Sequence, residues 1–516
     1  MPYPRLVLLA LATLTMGANL WGIDIYILDE AKNATCAYEM SVRGDWIVPT
    51  FNGNLRTDKP PLHYYFMQLG YGLWGVSPLG ARFFSALCGL AMVWLTYTYA
   101  RRAWGEQAAF WAGMVLVASV QISAQFHLAT PDPYLIFLLT AALLLWWEGV
   151  ERSSLGRLYG SYVLFGLGVL AKGPVAVVVP GLALLLFLGL SGRLSSWRCF
   201  FSVHPLRGLL VALLVALPWY AAVWQATDGA WIEGFFLDHN LSRFEAAKEG
   251  HGGFFGLTAL LYVAGLLPFG VFLPQAVARV WAVRREESLL LLSLCVMVAF
   301  VGFFSVSGTK LPSYPAPAFA FGALVLGYWL REGRLSRVSL WVWAVLSSVL
   351  VVGAAVGIHY DRSLSGQEYL AAYLLGLPLG AWWALWDPRR ALWALALGGV
   401  LGSMGFFYGA FPRADQENPV RVARAQMDTS LPVVAYGRLN PAFVFAYQRA
   451  IPKFNNPDSL YAYLRQQPAA YVISSKKYDE KLLRINSLQK IVHHPDLFER
   501  PVTTVWHYVS SSEKVP

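Results

Sequence analysis

Asp29-Glu30-Ala31-Lys32-Asn33-Ala34-Thr35-Cys36-Ala37-Tyr38-Glu39-Met40, then Arg43-Gly44-Asp45-Trp46-Ile47-Val48-Pro49, then Asn52-Gly53-Asn54-Leu55-Arg56-Thr57-Asp58-Lys59-Pro60-Pro61-Leu62-His63-Tyr64-Tyr65: this polar stretch is wedged between two long apolar runs. Apolar runs on either side of a charged insertion predict helices that cross a bilayer and a loop that stands outside it. Acids, amides and bases placed there stay hydrated and ionised, yet they reach the head group of a lipid held in the membrane. The stretch therefore predicts both the fold class and the place where chemistry is done.

The composition agrees. With 57% hydrophobic and 14% charged residues over 516 positions, the chain has too little polar surface to cover a soluble globule of its size. A multi-span membrane protein follows, and a soluble enzyme is excluded. The net charge of +10 does not point to nucleic acid, because the arginines fall in small groups between apolar runs, with no basic face and no nucleic-acid motif. Cys36, Cys88, Cys199 and Cys295 are scattered, two of them inside apolar runs, and form neither a disulfide framework nor a metal-ligand spacing. Residues 6–23 follow a single Arg5 as a signal peptide would, but the run is about long enough to span and twelve more follow it, so an uncleaved first helix is expected.

Spans are expected at about 5–23, 79–99, 107–126, 133–150, 158–171, 174–190, 208–224, 254–276, 288–306, 311–330, 338–358, 369–386 and 391–411. The fifth and sixth are short and joined by Lys172-Gly173-Pro174, as in a broken or re-entrant pair. Arginines 101 and 102, 152 and 157, 193, 198 and 207, 279, 284 and 285, 331, 334 and 337, and 389 and 390 all fall on one side if the amino terminus is cytoplasmic. The odd count then puts loops 24–78 and 225–253, the tip near 127–132, and everything after residue 411 on the outer face. Residues 1–411 thus read as an α-helical membrane domain. Residues 412–516 read as a small α/β domain, with strands at Pro432–Tyr436, Phe443–Tyr447, Ala470–Ser474 and Thr503–Val509 and helices around Val420–Met427 and Ser459–Gln466.

Every residue that could carry chemistry lies on that outer face, although the topology rests only on arginines and hydrophobicity. Asp29 and Glu30 leave the first span directly, and a helix over Ala31–Val42 puts Lys32 about one turn from Asp29. A carboxylate there can deprotonate a hydroxyl and a lysine can pair with a phosphate; interfacial anchoring is the plainer reading. In Asp58-Lys59-Pro60-Pro61 the prolines stiffen a corner that presents an acid and a base, while Asp58 also suits the cap of a helix over Leu62–Leu73. Asp132, between Pro131 and Pro133, fits a helix cap as well as a site acid. The loop 225–253 carries His239, Arg243 and His251, and histidines beside acids suit metal ligation, though their spacing is loose. Lys172 and Lys310, beside Gly or Pro at span ends, can reach a phosphate or simply snorkel.

Taken together, Asp29-Glu30, Gly44-Asp45-Trp46-Ile47-Val48-Pro49, Asn52-Gly53, Asp58-Lys59-Pro60-Pro61-Leu62, Lys172-Gly173-Pro174, Leu217-Pro218-Trp219-Tyr220, His239-Asn240-Leu241-Ser242-Arg243-Phe244 and Lys310-Leu311-Pro312-Ser313-Tyr314 resemble the bacterial aminoarabinose lipid A transferases. These sit with the protein O-mannosyltransferases in the GT-C superfamily. The resemblance runs over residues 5–330 in the same order. It implies a multi-pass enzyme of the bacterial inner membrane that works on the periplasmic side, and a monomer is expected. The reaction it implies moves a sugar of the 4-amino-4-deoxy-L-arabinose type from an undecaprenyl-phosphate donor to lipid A or another envelope acceptor. It implies Asp29 as the catalytic aspartate of the first loop and Asp132 as a second acid. Lys59 is the matching contact for the carrier phosphate, with Lys32, Lys172, Lys310 and Arg243 as further donor-binding cations. It also implies a divalent ion (Mg, Mn or Zn) held by Asp58 and His251, with Glu30 and His239 accessory to the site. Two departures stand out: the family has Glu-Lys-Pro-Pro where this chain has Asp58-Lys59, and Asp-Glu-x-Arg-Tyr where it has Asp29-Glu30-Ala31-Lys32-Asn33. Aspartate is one methylene shorter than glutamate, and lysine cannot make the two-pronged phosphate contact of arginine.

From the residues, the expected reaction is an inverting transfer in which Asp29 deprotonates or orients the acceptor hydroxyl while the cations stabilise the leaving lipid phosphate. A protein or other glycan as acceptor is the alternative within enzymes. A lipid-linked sugar flippase is the alternative from another class, but it needs polar groups along a path through the membrane, and the spans carry few.

Overall fold

The computed structural model describes residues 3–195, 201–241, 252–333, 335–485 and 487–510. Each of the thirteen expected spans contains a helix. Among the described residues six helices are long and apolar enough to cross a bilayer by themselves, and nine such units result when three bent pairs are each counted as one. The remaining four, Pro4–Met16, Leu155–Lys172, Val175–Leu190 and Ala316–Leu330, are 18 residues long or shorter. Lipid-facing surfaces are plain. The helix Arg337–Tyr360 exposes Val338, Trp341, Val342, Val345 and Val349, and Pro205–Ala226 exposes Leu206, Leu210, Leu213 and Leu214. Apolar bands of that kind cannot face water in a folded protein, so hydrocarbon must cover them.

In the order that positions the site, α1 (Pro4–Met16) is followed by α2 (Leu28–Arg43), a two-residue hairpin of β1 (Thr50–Phe51) and β2 (Asn54–Leu55), α3 (Leu62–Trp74) and α4 (Pro78–Trp104). Next come α5 (Glu106–Val117), α6 (Val120–Phe126), α7 (Asp132–Glu151), α8 (Leu155–Lys172) and α9 (Val175–Leu190). A break at Lys172-Gly173-Pro174 is expected and present: Gly173 takes φ +85° and Pro174 stands at the N-terminus of α9. Three other breaks correct the expectation of straight spans. The chain bends by 69° between α5 and α6, by 118° between Leu257–Ala264 and Phe269–Val283, and by 43° between Glu368–Leu374 and Gly376–Trp386. At the first, the Ser119 hydroxyl accepts from the Ile122 amide at 3.1 Å and donates to the Gly265 carbonyl at 2.8 Å, satisfying backbone groups that a bend in apolar surroundings leaves open. Hydropathy cannot see such caps.

At the end of the bundle away from the polar loop, buried Glu148 gathers Arg102, Arg152 and Arg157 at 3.4, 3.2 and 3.5 Å. These are arginines of the predicted inner side, and α4 and α7 each run from the site at one end to this cluster at the other.

The helical run that begins at Ala391 continues to Glu417, past the boundary expected at residue 411. Beyond it stands a five-stranded sheet of order β4-β3-β5-β7-β6, with β3 at Val433–Tyr436, β4 at Lys453–Phe454, β5 at Ala469–Ser475, β6 at Leu488–Pro495 and β7 at Val502–Val509. Strand β3 is parallel to its neighbours β4 and β5, whereas β7 is antiparallel to both β5, the central strand, and β6. One expected strand is a helix: Pro441–Tyr447 is opened by the Asn440 side chain, which accepts from the Ala442 amide at 3.0 Å. The Asn-Pro start outweighs the β-prone Phe-Val-Phe-Ala-Tyr that follows. One face of the sheet (Val433, Ala435, Ile473, Val505) shares an apolar core with Ala31, Ala34 and Ala37 of α2 and with Tyr64 and Met67 of α3, so the domain sits on the polar segment that follows α1. The other face is covered by Leu460 and Leu464 from Pro457–Leu464.

Candidate active site

Small residues place α2. On α2, Ala31, Ala34, Ala37 and Met40 are buried at helical spacing, which lets the sheet approach closely and leaves Asp29 and Lys32 toward the opposite side. Glu30, one residue from Asp29, points the other way. Its fully buried carboxylate takes two bonds from Arg82 of α4, at 2.7 and 2.8 Å, and a third from the Ala129 amide at 2.8 Å. Arg82 in turn donates to the carbonyls of Ile23 (2.7 Å) and Asp24 (3.1 Å). One buried pair thus ties the exit from α1, the start of α2 and the tip before α7 into a single unit. Glu30 is a positioning residue in this structure and does not face the cavity described below.

The corner after the hairpin closes on Asp29. Arg56 is buried, donates to Asn33 Oδ1 at 2.9 Å, and places Nη2 3.2 Å from the Asp58 carboxylate and 3.7 Å from that of Asp29. Its own carbonyl is held by the Trp231 indole at 2.9 Å. Asp58 therefore faces a guanidinium and is not the expected helix cap; Pro61 stands at the N-terminus of α3, without a side-chain cap. Asp29 remains about half exposed. Desolvation by the surrounding loops raises its carboxyl, and the positive charges of Lys59 and then Arg56 more than reverse this, so it is held below the ordinary carboxylate value. Lys32 adds to the same field and also acts on Glu499 of the C-terminal domain.

A second acid and base come from two other helices. Asp132, the first residue of α7, binds the ammonium of Lys172 at the last residue of α8, and the same ammonium lies 5.4 Å over the ring of Tyr314. Asp132 is an ion-pair partner, since Pro131 and not its own side chain precedes the helix. Asp58, Lys59, Lys172, Ser313 and Tyr314 form the polar end of a cavity of about 250 Å³ whose other walls include Leu135, Val178, Phe300 and Phe304. Lys310 stands aside, buried, with its ammonium donating to the Ser307 carbonyl at 2.8 Å. His239 lies in the helical turn Gly234–Leu241, with its side chain outside the described residues; Arg243 and His251 lie outside the described residues altogether.

Arg56 and Tyr314 are the residues that the sequence reading passed over. An arginine in a loop that the positive-inside rule assigns to the outer side is itself a signal, because that rule accounts for the inner ones only.

Of the expected metal ligands, Asp58 is among the described residues and His251 lies outside them. Among the described residues no group of three His, Cys, Asp or Glu side chains comes together, and Arg56 already stands where a cation between Asp29 and Asp58 would. Substituting Arg56→Gln is expected to remove that charge, raise the Asp29 carboxyl and move the acid limb of kcat/KM upward by about one pH unit, measured as a pH–rate profile. An unmoved limb would separate Arg56 from Asp29.

The architecture matches solved structures over nearly its whole length. ArnT from Cupriavidus metallidurans in the apo state superposes with a TM-score of 0.80 at 21% identity, covering 97% of each chain; the same protein bound to undecaprenyl phosphate gives 0.78 at 20%, again over 97% of each. Residues 58–224 match the family described as dolichyl-phosphate-mannose-protein mannosyltransferase. Fold and site together define a multi-pass helical membrane protein with a polar site at one end of the bundle and a small sheet domain seated beside it. Among curated proteins, the undecaprenyl phosphate-alpha-4-amino-4-deoxy-L-arabinose arabinosyl transferase of Pseudomonas aeruginosa (strain LESB58) is 30% identical over 387 residues, 72% of this chain and 69% of the relative. The protein of the same name from Edwardsiella ictaluri (strain 93-146) is 29% identical over 412 residues, 76% and 73% of the two chains. The chain belongs to this arabinosyl transferase family.

Proposed function

We propose that the protein transfers 4-amino-4-deoxy-L-arabinose, or a closely similar sugar, from an undecaprenyl-phosphate donor to lipid A at the periplasmic face of the bacterial inner membrane. The observation that carries this is the two-ended cavity: two lysines and a tyrosine hydroxyl at one end, with hydrocarbon walls at the other. That is the shape of a phosphate on a prenyl chain. A larger apolar groove of about 700 Å³ begins at shared residues Pro174 and Val178 and runs past Leu213 and Trp224, giving a prenyl chain a path along α8, α9 and the helix Pro205–Ala226.

In this reading Lys59 and Lys172 hold the carrier phosphate, and Lys32, on the Asp29 side of the corner, strengthens the field. The acceptor hydroxyl approaches from the loop side and gives its proton to Asp29 as the new bond to the anomeric carbon forms; where a phosphate oxygen of lipid A is the acceptor, Asp29 orients it and takes no proton. The sugar–phosphate bond breaks in line, and the electron pair stays on the lipid phosphate, where the lysines balance the charge. Asp132 keeps the Lys172 ammonium at its post. The Asp29 carboxyl, held low, is ionised throughout the neutral range.

A divalent ion, if one takes part, would be held by Asp58 and the loop bearing His251; no step here requires it. Transfer in buffer with EDTA is expected to stay within about twofold of that with added Mg²⁺, Mn²⁺ or Zn²⁺, whereas a loss of tenfold or more would assign the ion to that pair. The function itself is tested with purified protein in lipid nanodiscs, given an undecaprenyl phosphate-linked aminoarabinose and either lipid A or a peptide acceptor. Product on lipid A alone supports the proposal, and product on the peptide alone refutes it.

A further inference from the structure

Asn52-Gly53 joins β1 to β2, with Thr50 paired to Leu55 and Phe51 to Asn54. Both turn residues have positive φ, +54° for Asn52 and +76° for Gly53, the conformation that the tightest hairpins require and that Asn-Gly adopts most readily. Turn formation alone explains the residue types. It does not explain what the Asn52 side chain does.

The amide of Asn52 reaches 399 positions along the chain and binds one residue twice: Oδ1 accepts from the Ile451 amide at 2.7 Å, and Nδ2 donates to the Ile451 carbonyl at 3.0 Å. Ile451 is fully buried, between the helix Pro441–Tyr447 and β4 of the C-terminal domain. A two-point bond to the main chain fixes both the distance and the angle of the turn, and no other side chain of that length supplies a donor and an acceptor side by side. The strand after the turn, β2, has only two residues, Asn54 and Leu55, and Arg56 follows at once, its amide bonded to the Pro49 carbonyl at 3.0 Å. Arg56 holds the two acids, and Asp58 and Lys59 complete the corner. On neighbouring surface the Tyr38 hydroxyl donates to the Gln448 carbonyl at 2.7 Å, so the domain grips α2 and the hairpin from the same side.

We infer that Asn52 is a positioning residue for the transfer reaction, through which the C-terminal domain sets the Arg56–Asp58–Lys59 corner against Asp29. The inference rests on the reading of that corner as the reacting site. It gives the C-terminal domain a task in the chemistry rather than in binding alone.

The test compares wild type with Asn52→Gly, which keeps the turn conformation and loses both bonds, and with Asn52→Asp, which keeps the acceptor and loses the donor. Full-length protein in nanodiscs is used for each. In Asn52→Gly, kcat is expected to fall about tenfold while the donor KM stays within about twofold, because the groups are present but misplaced. Amide exchange of residues 54–61 is expected to quicken by about tenfold, with an unchanged unfolding temperature, and Asn52→Asp should fall between. Unchanged kcat and unchanged exchange overturn the inference, and so does a lower unfolding temperature with kcat intact. Should wild type transfer no sugar at all, the functional reading fails on its own, and exchange still decides whether Asn52 grips the corner.

Discussion

Replacing Asp29 by Asn is expected to abolish sugar transfer, lowering kcat by about 10³-fold, while protein level, unfolding temperature and binding of undecaprenyl phosphate stay close to wild type. The substitution keeps size and hydrogen-bonding shape and removes only the basic carboxylate; the side chain is about half exposed, and buried Arg56 beside it keeps its contacts to Asp58 and Asn33. The sign of the pH dependence follows from the local charges. Lys59 and Arg56 hold the carboxyl low against the opposing desolvation, so the base is competent above that depressed value and is lost only as pH falls through it. Wild-type kcat/KM should therefore show no acid limb near neutrality. Transfer retained by Asp29→Asn would remove Asp29 as a base.

Arg82→Ala is expected to act through the fold instead. The guanidinium and the Glu30 carboxylate are both buried, and two of the carbonyls that Arg82 satisfies belong to the chain leaving α1. Removing one partner of such a pair leaves the other charged and unpaired, which costs about 3–5 kcal/mol. Loss of accumulated protein and a lowered unfolding temperature are the expected readouts. Arg82→Ala combined with Glu30→Ala removes both charges and should recover part of the loss, which a purely catalytic role for Glu30 would not produce. A stable Arg82→Ala protein with Asp29 chemistry intact would show that the first loop is held by other contacts.

The apolar runs were legible as helices because a bilayer demands them, and the polar loop was legible as a place for a site because charge is tolerated outside the hydrocarbon. Asp29, Lys59, Asp132 and Lys172 could be named for that reason. Their partners could not. The Asp132–Lys172 pair joins positions 40 apart and the Glu30–Arg82 pair positions 52 apart, and no local pattern announces either. Glu30 looked like a site residue because charge beside Asp29 reads the same whether it faces a cavity or a buried arginine. Arg56 was hidden for the opposite reason, among other polar loop residues. The bends at Ser119 and near Pro268 escaped because hydropathy averages over them, and Phe443–Tyr447 looked like strand because its side chains favour the sheet while the Asn440 cap sets a helix. Of the two residues in the metal expectation, Asp58 is described and lies 3.2 Å from Arg56, while His251 lies outside the described residues.

The central claim is that this chain moves a lipid-linked sugar onto an envelope lipid through Asp29. The most direct measurement is mass spectrometry of the envelope lipids and glycans from cells lacking the protein, complemented by wild type or by Asp29→Asn. The account predicts that one sugar mass disappears from lipid A in the deletion and that wild type alone restores it. Equal restoration by Asp29→Asn, or an unchanged lipid profile in the deletion, would contradict it.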